Sequence, residues 1–182
     1  INNNQSAFNF TNTPSSYANV NISQDNLVST SSAGPWTSVY FFNGLYNNTA
    51  VSLANSTASA GISNLGWFTV IGAGNFSILN STLGVNTGGS GVYVSGSNNV
   101  TVWSSVVRGY VPVNGSGLSV GLASPWLNLS NNTFVNGFYG VNILASIANS
   151  SVYNNFFVNS NQSAFFFTAT SDFYANTNIS SD

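Results

Sequence analysis

Histidine, lysine, cysteine, methionine and glutamate are all missing from this 182-residue chain, and charge of either sign is almost absent. Arg108 is the single basic residue, and Asp25, Asp172 and Asp182 are the only acids. A typical globular chain is about a quarter charged; here the figure is 2%. Each absence closes off a class of function. Without cysteine there is no disulfide framework and no thiolate metal site. Without a basic patch nothing neutralises phosphates, which excludes nucleic acid as a partner. Without His, Lys or Cys the usual general bases and metal ligands are missing. Glycosidase chemistry needs two carboxylates about 5–9.5 Å apart, and the acids here are too few and too scattered to supply them. The chain therefore reads as non-enzymatic, with no catalytic, cofactor-binding or metal-binding residue.

Long apolar runs are missing too. Segments such as AFFFTA fall far short of the ~20 residues that span a bilayer as a helix, so membrane insertion is not expected. No basic stretch followed by an apolar one begins at Ile1; any secretion signal is expected to have been removed or to lie outside this segment.

What remains is 43% hydrophobic and 14% aromatic, which argues for a packed core rather than disorder. Solubility has to come from Asn, Ser and Thr, or from attached sugar. Acid denaturation works by protonating carboxylates that are paired in the native state. With almost none available, the chain suits an acidic exterior.

The strongest internal signal is repetition. Residues 1–25 and 158–182 align without a gap and agree at 16 of 25 positions, a shift of 157 residues. Inside that long period a shorter one recurs: two apolar residues at alternate positions, then two small polar residues, then a further apolar one. It reads VNISQDNL (20–27), VSLANSTA (51–58), FSILNSTL (76–83), VTVWSSVV (100–107) and LNLSNNTF (127–134), with weaker copies SSVYNNFF (150–157) and TNISSD (177–182). The spacings of 31, 25, 24, 27, 23 and 27 residues sum to 157. A second alternating segment precedes each copy, namely FNF (8–10), VYF (39–41), FTV (68–70), VYV (92–94), LSV (118–120), VNI (141–143) and FFF (165–167). Period-two alternation between turns rich in Asn, Gly and Ser describes short β-strands, and helix formers are scarce throughout.

Units of this length bury an apolar face only by stacking. The pattern predicts coils piled about 4.8 Å apart, with Val100 and Val102, or Leu127 and Leu129, pointing inward. The fifth motif position reads Gln24, Asn55, Asn80, Ser104, Asn131, Asn154 and Ser181. It is expected to form an internal ladder of amides bonded coil to coil, as in other in-register stacks.

On these motifs the sequence resembles the right-handed parallel β-helix proteins, the pectate-lyase-like superfamily with its short Asn-rich coil repeats. The resemblance implies an all-β solenoid of about six coils per 157 residues. Lyases of that superfamily use a carboxylate cluster to hold calcium and a basic residue to take a proton. This chain has neither, so their activity is not carried over. A β-sandwich, pilin-like and polymerising by strand donation, is the alternative fold. It offers no reason for six periods to close on a register of 157.

Residues 1–157 are accordingly expected to be one solenoid repeat, and 158–182 the first coil of the next. Head-to-tail stacking of separate subunits is the alternative. Asn-x-Ser/Thr sequons occupy 14 of the 31 asparagines. With Ser and Thr making up a quarter of the chain, chance alone would give about a quarter of them. The expected N-glycan acceptors are Asn4, Asn9, Asn21, Asn47, Asn75, Asn99, Asn114, Asn128, Asn149, Asn161 and Asn178. The sequons at Asn55, Asn80 and Asn131 are assigned with Gln24 and Asn154 to the structural ladder instead. The charge-poor, sequon-rich style resembles secreted proteins of thermoacidophilic archaea. Together these readings describe a secreted, extracellular structural filament whose partners are copies of itself, covalent N-glycans and, in a competing reading, surface glycans bound by Trp36, Trp67, Trp103 and Trp126.

Overall fold

The structure is a computed structural model and describes residues 2–3, 8–10, 19–24, 26–29, 39–42, 50–55, 57–60, 66–71, 75–85, 90–96, 99–109, 115–123, 126–168 and 178–180. It is a parallel β-solenoid: all-β, with no helix among the described residues, built from three seven-stranded sheets. The sandwich alternative is thereby excluded, because every strand pair is parallel and each strand pairs with one from the next turn of the chain.

A coil visits the sheets in a fixed order. The first sheet takes Phe8–Phe10, Val39–Phe42, Gly66–Ile71, Ser90–Ser95, Leu118–Val120, Tyr139–Ile143 and Ser163–Phe167. The second takes Asn19–Ser23, Ala50–Ala54, Asn75–Leu79, Val100–Trp103, Asn128–Ser130, Ser151–Tyr153 and Asn178–Ser180. The third takes Asn2–Asn3, Asn26–Ser29, Thr57–Ala60, Thr82–Val85, Val106–Arg108, Thr133–Val135 and Phe156–Val158. The second-sheet register follows the motif spacing at every step, from Val20↔Val51 through Val51↔Phe76, Val100↔Phe76, Thr101↔Asn128 and Asn128↔Ser151 to Ser151↔Asn178. The first sheet does the same, from Phe8↔Val39 to Val141↔Phe165.

Strand alternation sends every second side chain inward. Phe76, Val100 and Leu127 stack in one file, and Ile78, Val102, Leu129 and Val152 in the next, each at most 2% exposed. Val92, Leu118 and Val141 line the first sheet, and Leu83, Val107 and Phe134 the third, all fully buried. Each such side chain contributes about 1.5–3 kcal/mol. Toward Phe167 the files become aromatic. Phe134 and Phe157 stack at 5.2 Å, and Phe157 meets Phe165 edge-on at 4.8 Å.

Gly91, Gly117 and Gly140 explain how the third sheet folds back so closely on the first. A Cβ on Gly91 would lie 2.5 Å from Val107 Cγ1, and one on Gly117 2.7 Å from Phe134 Cδ1. On Gly140 it would collide with the Phe157 ring. The space of each missing side chain is filled by the inward residue of the third sheet.

Candidate functional site

Three corners punctuate the coils, and left-handed residues stand at each of them among those described, although Gly109, the counterpart of Asn136, is not left-handed. Between the first and second sheets stand Asn99, Trp126 and Asn149, at φ 50°, 58° and 57°. Between the second and third stand Gln24, Asn55, Asn80, Ser104, Asn131 and Asn154, at φ 47–59°. Between the third and first stand Asn136 and Asn159. Asn is enriched here because its short polar side chain tolerates this region. The corner stack is stitched by main-chain bonds such as Asn80 N–H to the Trp103 carbonyl at 3.0 Å.

This geometry corrects the expected ladder. Gln24, Asn55, Asn80, Asn131 and Asn154 are exposed, so the fifth motif residue forms no internal amide ladder. The ladder lies one residue later, at Ser81, Ser105, Asn132 and Asn155, each at most 3% exposed. The Ser81 N–H donates to Ser105 Oγ at 3.1 Å, the Ser105 N–H to Asn132 Oδ1 at 3.0 Å, and the Asn132 N–H to Asn155 Oδ1 at 3.1 Å. Asn132 Nδ2 also donates to the Val102 carbonyl at 2.7 Å, and Asn155 Nδ2 to the Leu129 carbonyl at 3.0 Å. The Ser81 and Ser105 hydroxyls donate back to the carbonyls of Leu79 and Trp103. None of these side chains is among the buried polar atoms left without a partner. The sixth position holds only small polar residues along the whole chain, Asp25, Ser56, Ser81, Ser105, Asn132, Asn155 and Asp182, and that uniformity was the signal available in the sequence. Asp25, Asp172 and Asp182 themselves, like Ser181, lie outside the described residues.

Among the expected glycan acceptors, Asn4, Asn47 and Asn114 lie outside the described residues. Asn9 lies on a first-sheet strand and Asn21 and Asn75 on second-sheet strands, with their side chains outside what is described. Asn99, Asn149, Asn161 and Asn178 are exposed. Asn128 is half-buried, and its Oδ1 accepts a hydrogen bond from Ser151 Oγ at 3.4 Å. Asn55, Asn80 and Asn131 join the exposed set, because their sequon asparagines stand on the corner and not in the core.

Nine of the 14 sequons thus lie on the second sheet or its two corners: Asn21, Asn55, Asn75, Asn80, Asn99, Asn128, Asn131, Asn149 and Asn178. Their abundance follows partly from the fold. An outward Asn, an inward apolar residue and an outward Ser or Thr, as in Asn99-Val100-Thr101, is what strand alternation produces from this composition. Alternation does not explain why no strand of the third sheet carries one. The third sheet's alternate positions hold Val106 and Arg108, Thr133 and Val135, and Phe156 and Val158 instead.

The remaining surface features are aromatic. Trp103 and Tyr153 occupy the fourth motif position two coils apart, 41% and 37% exposed, while Ser130 between them is 1% exposed. Trp126 stands at the opposite corner of the same sheet and is 53% exposed. Trp36 lies outside the described residues, as does the side chain of Trp67. Arg108 is exposed on the third sheet. No group of three or more His, Cys, Asp or Glu side chains gathers among the described residues, and no helix there is long and apolar enough to cross a membrane. The chain has no significant match to a protein-family model, a curated protein or a solved structure.

Proposed function

We propose that this chain is a segment of an extracellular fibre whose long axis is the solenoid axis, and that its role is mechanical. One observation carries the reading. The 157-residue sequence repeat spans six coils: Phe8–Phe10 and Ser163–Phe167 lie at opposite edges of the first sheet, and Asn19–Ser23 and Asn178–Ser180 at opposite edges of the second. A coil and its sequence copy therefore occupy equivalent places in the stack. Repeats joined in tandem, or copies stacked head to tail, continue the first and second sheets across the junction without a change of register. Continuous main-chain hydrogen bonding, apolar files and the Ser/Asn ladder give such a rod its stiffness.

Composition supports the rest. Neutral amides and hydroxyls, together with N-glycans on the exposed sequons, keep uncharged rods dispersed in the extracellular medium. The near absence of titrating groups suits acid, in keeping with the likeness to secreted archaeal proteins. The Asn-rich coils keep their likeness to the pectate-lyase-like superfamily without its chemistry. The competing reading is an adhesin that binds surface glycans, favoured by Trp103 and Tyr153 on the outer second sheet.

Intact mass before and after removal of glycans tests the tandem form. A deglycosylated mass many times 19.1 kDa is the result expected of a covalent array. A mass near that value leaves only head-to-tail stacking, and loss of fibres from the preparation would count against both. Saturable binding to a glycan array with no fibres by electron microscopy would favour the adhesin.

A further inference from the structure

One side chain on the second sheet breaks the rule its neighbours follow. The corner column between the first and second sheets holds Asn99, Trp126 and Asn149, all at positive φ. Asn accepts that backbone at little cost, whereas a bulky residue there is an outlier. Burial does not fully explain Trp126, since 53% of it faces solvent. A residue in strained backbone with half its ring in solvent points to a role beyond the fold.

Its neighbours identify what it touches. Thr101 pairs with Asn128, and Asn128 with Ser151. The residues two positions earlier, Asn99, Trp126 and Asn149, therefore share one column at about 4.8 Å per coil. The Trp126 N–H donates to the Ala148 carbonyl at 2.9 Å, tying it to the coil that carries Asn149. Asn99 and Asn149 are both exposed, and both open sequons, Asn99-Val100-Thr101 and Asn149-Ser150-Ser151. Two glycans here stand two coils apart, about 10 Å, with one indole between them. The strand residues beside this column, Thr101, Asn128 and Ser151, are uncharged hydrogen-bonding groups, matched to a neutral sugar.

We propose that Trp126 is the packing platform for the protein-proximal sugars of N-glycans carried on Asn99 and Asn149. The inference rests on reading the chain as a secreted glycoprotein. In the attachment step the Asn side-chain nitrogen bonds to the anomeric carbon of a lipid-phosphate-linked oligosaccharide. The carbon–oxygen bond to phosphate breaks, the lipid phosphate leaves with the bonding pair, and the amide nitrogen gives up one proton. The apolar C–H face of the first sugar then lies on the indole, while its hydroxyls meet Thr101, Asn128 and Ser151.

The test uses wild type and Trp126→Asn, each prepared glycosylated from the native host and unglycosylated from a host that lacks the modification. Glycopeptide mass spectrometry is expected to find sugar on Asn99, Asn149 or both. Without glycans, Trp126→Asn trades relief of backbone strain against loss of the buried part of the indole, a small net shift in melting temperature. With glycans the substitution also loses the packing contact, so the melting temperature falls by about 2–4 °C relative to the shift without them. Unmodified Asn99 and Asn149 would overturn the proposal, as would an equal shift in both preparations. Saturable quenching of tryptophan fluorescence in the unglycosylated protein by a free mannose oligosaccharide, lost in Trp126→Asn, would also overturn it, in favour of a site for a separate ligand. Electron microscopy of the same samples scores fibres independently. Fibres without sugar at these sites sink this inference alone, and sugar without fibres sinks the filament reading alone.

Discussion

Asn132 Nδ2 lies 2.7 Å from the Val102 carbonyl in the coil before it and 3.0 Å from Asn155 Oδ1 in the coil after it. One buried side chain thus ties three successive coils together. Its Oδ1 meanwhile accepts the Ser105 N–H, so every polar atom of the amide is used where a lost partner is most costly. Asn131, one residue earlier, is exposed and holds the corner through its backbone.

That contrast sets the first prediction. Asn132→Ala strands the Ser105 N–H and removes both Nδ2 bonds, at about 1–3 kcal/mol for each buried group left unpaired. Asn131→Gly keeps the left-handed corner and costs well under 1 kcal/mol. Denaturation midpoints of the two variants should therefore differ sharply, with Asn132→Ala the lower. Equal midpoints would mean that the ladder contributes no stability.

The glycine file gives a second. A Cβ at Gly117 would stand 2.6 Å from the Gly140 carbonyl oxygen and 2.7 Å from Phe134 Cδ1, neither of which moves without displacing a coil. Gly117→Ala is expected to cost about 1–3 kcal/mol as an overpacked site. Gly96 has φ 59° and open space around it. Gly96→Asn should be nearly neutral, since Asn suits that backbone. Thermal melts of both variants check the pair.

A third concerns acid. Stability changes with pH only through groups that bind different numbers of protons when folded and unfolded. A carboxylate held two units below its unfolded pKa contributes about 2.6 kcal/mol at neutral pH, lost as pH falls through both values. With three side-chain acids in 182 residues, melting curves at pH 3 and pH 7 should nearly coincide. A fall of tens of degrees at pH 3 would contradict the acid-tolerance reading.

The sequence was most legible where physics is periodic. Every register in the first and second sheets follows from the spacing of short apolar alternations such as VTV and LNL, because inward files must align for coils to stack. The same spacing allows two or three strands per coil and does not fix the third. The strands of the third sheet begin at the seventh motif position and are short, and outward residues as unlike as Arg108, Phe156 and Thr133 hide the alternation.

The ladder lies one residue later than alternation predicts for a related reason. Period two continued from Val100 and Val102 puts the fifth position, Ser104, on the inner face. The left-handed corner at φ 49° uses up that residue in turning the chain, so Ser105 points inward instead. Two adjacent polar residues cannot be told apart by alternation when a corner falls between them. Trp126 was likewise legible as an aromatic, while its place in an Asn column required the stack itself.

Helical reconstruction of the native fibre by electron cryomicroscopy tests the central claim most directly. The expected result is a coil stack with strands perpendicular to the axis, a spacing of about 4.8 Å along it and a longer repeat near 29 Å, six coils of that rise. A fibre of globular beads with strands from two chains in one sheet, or an axial repeat unrelated to six coils, would contradict it.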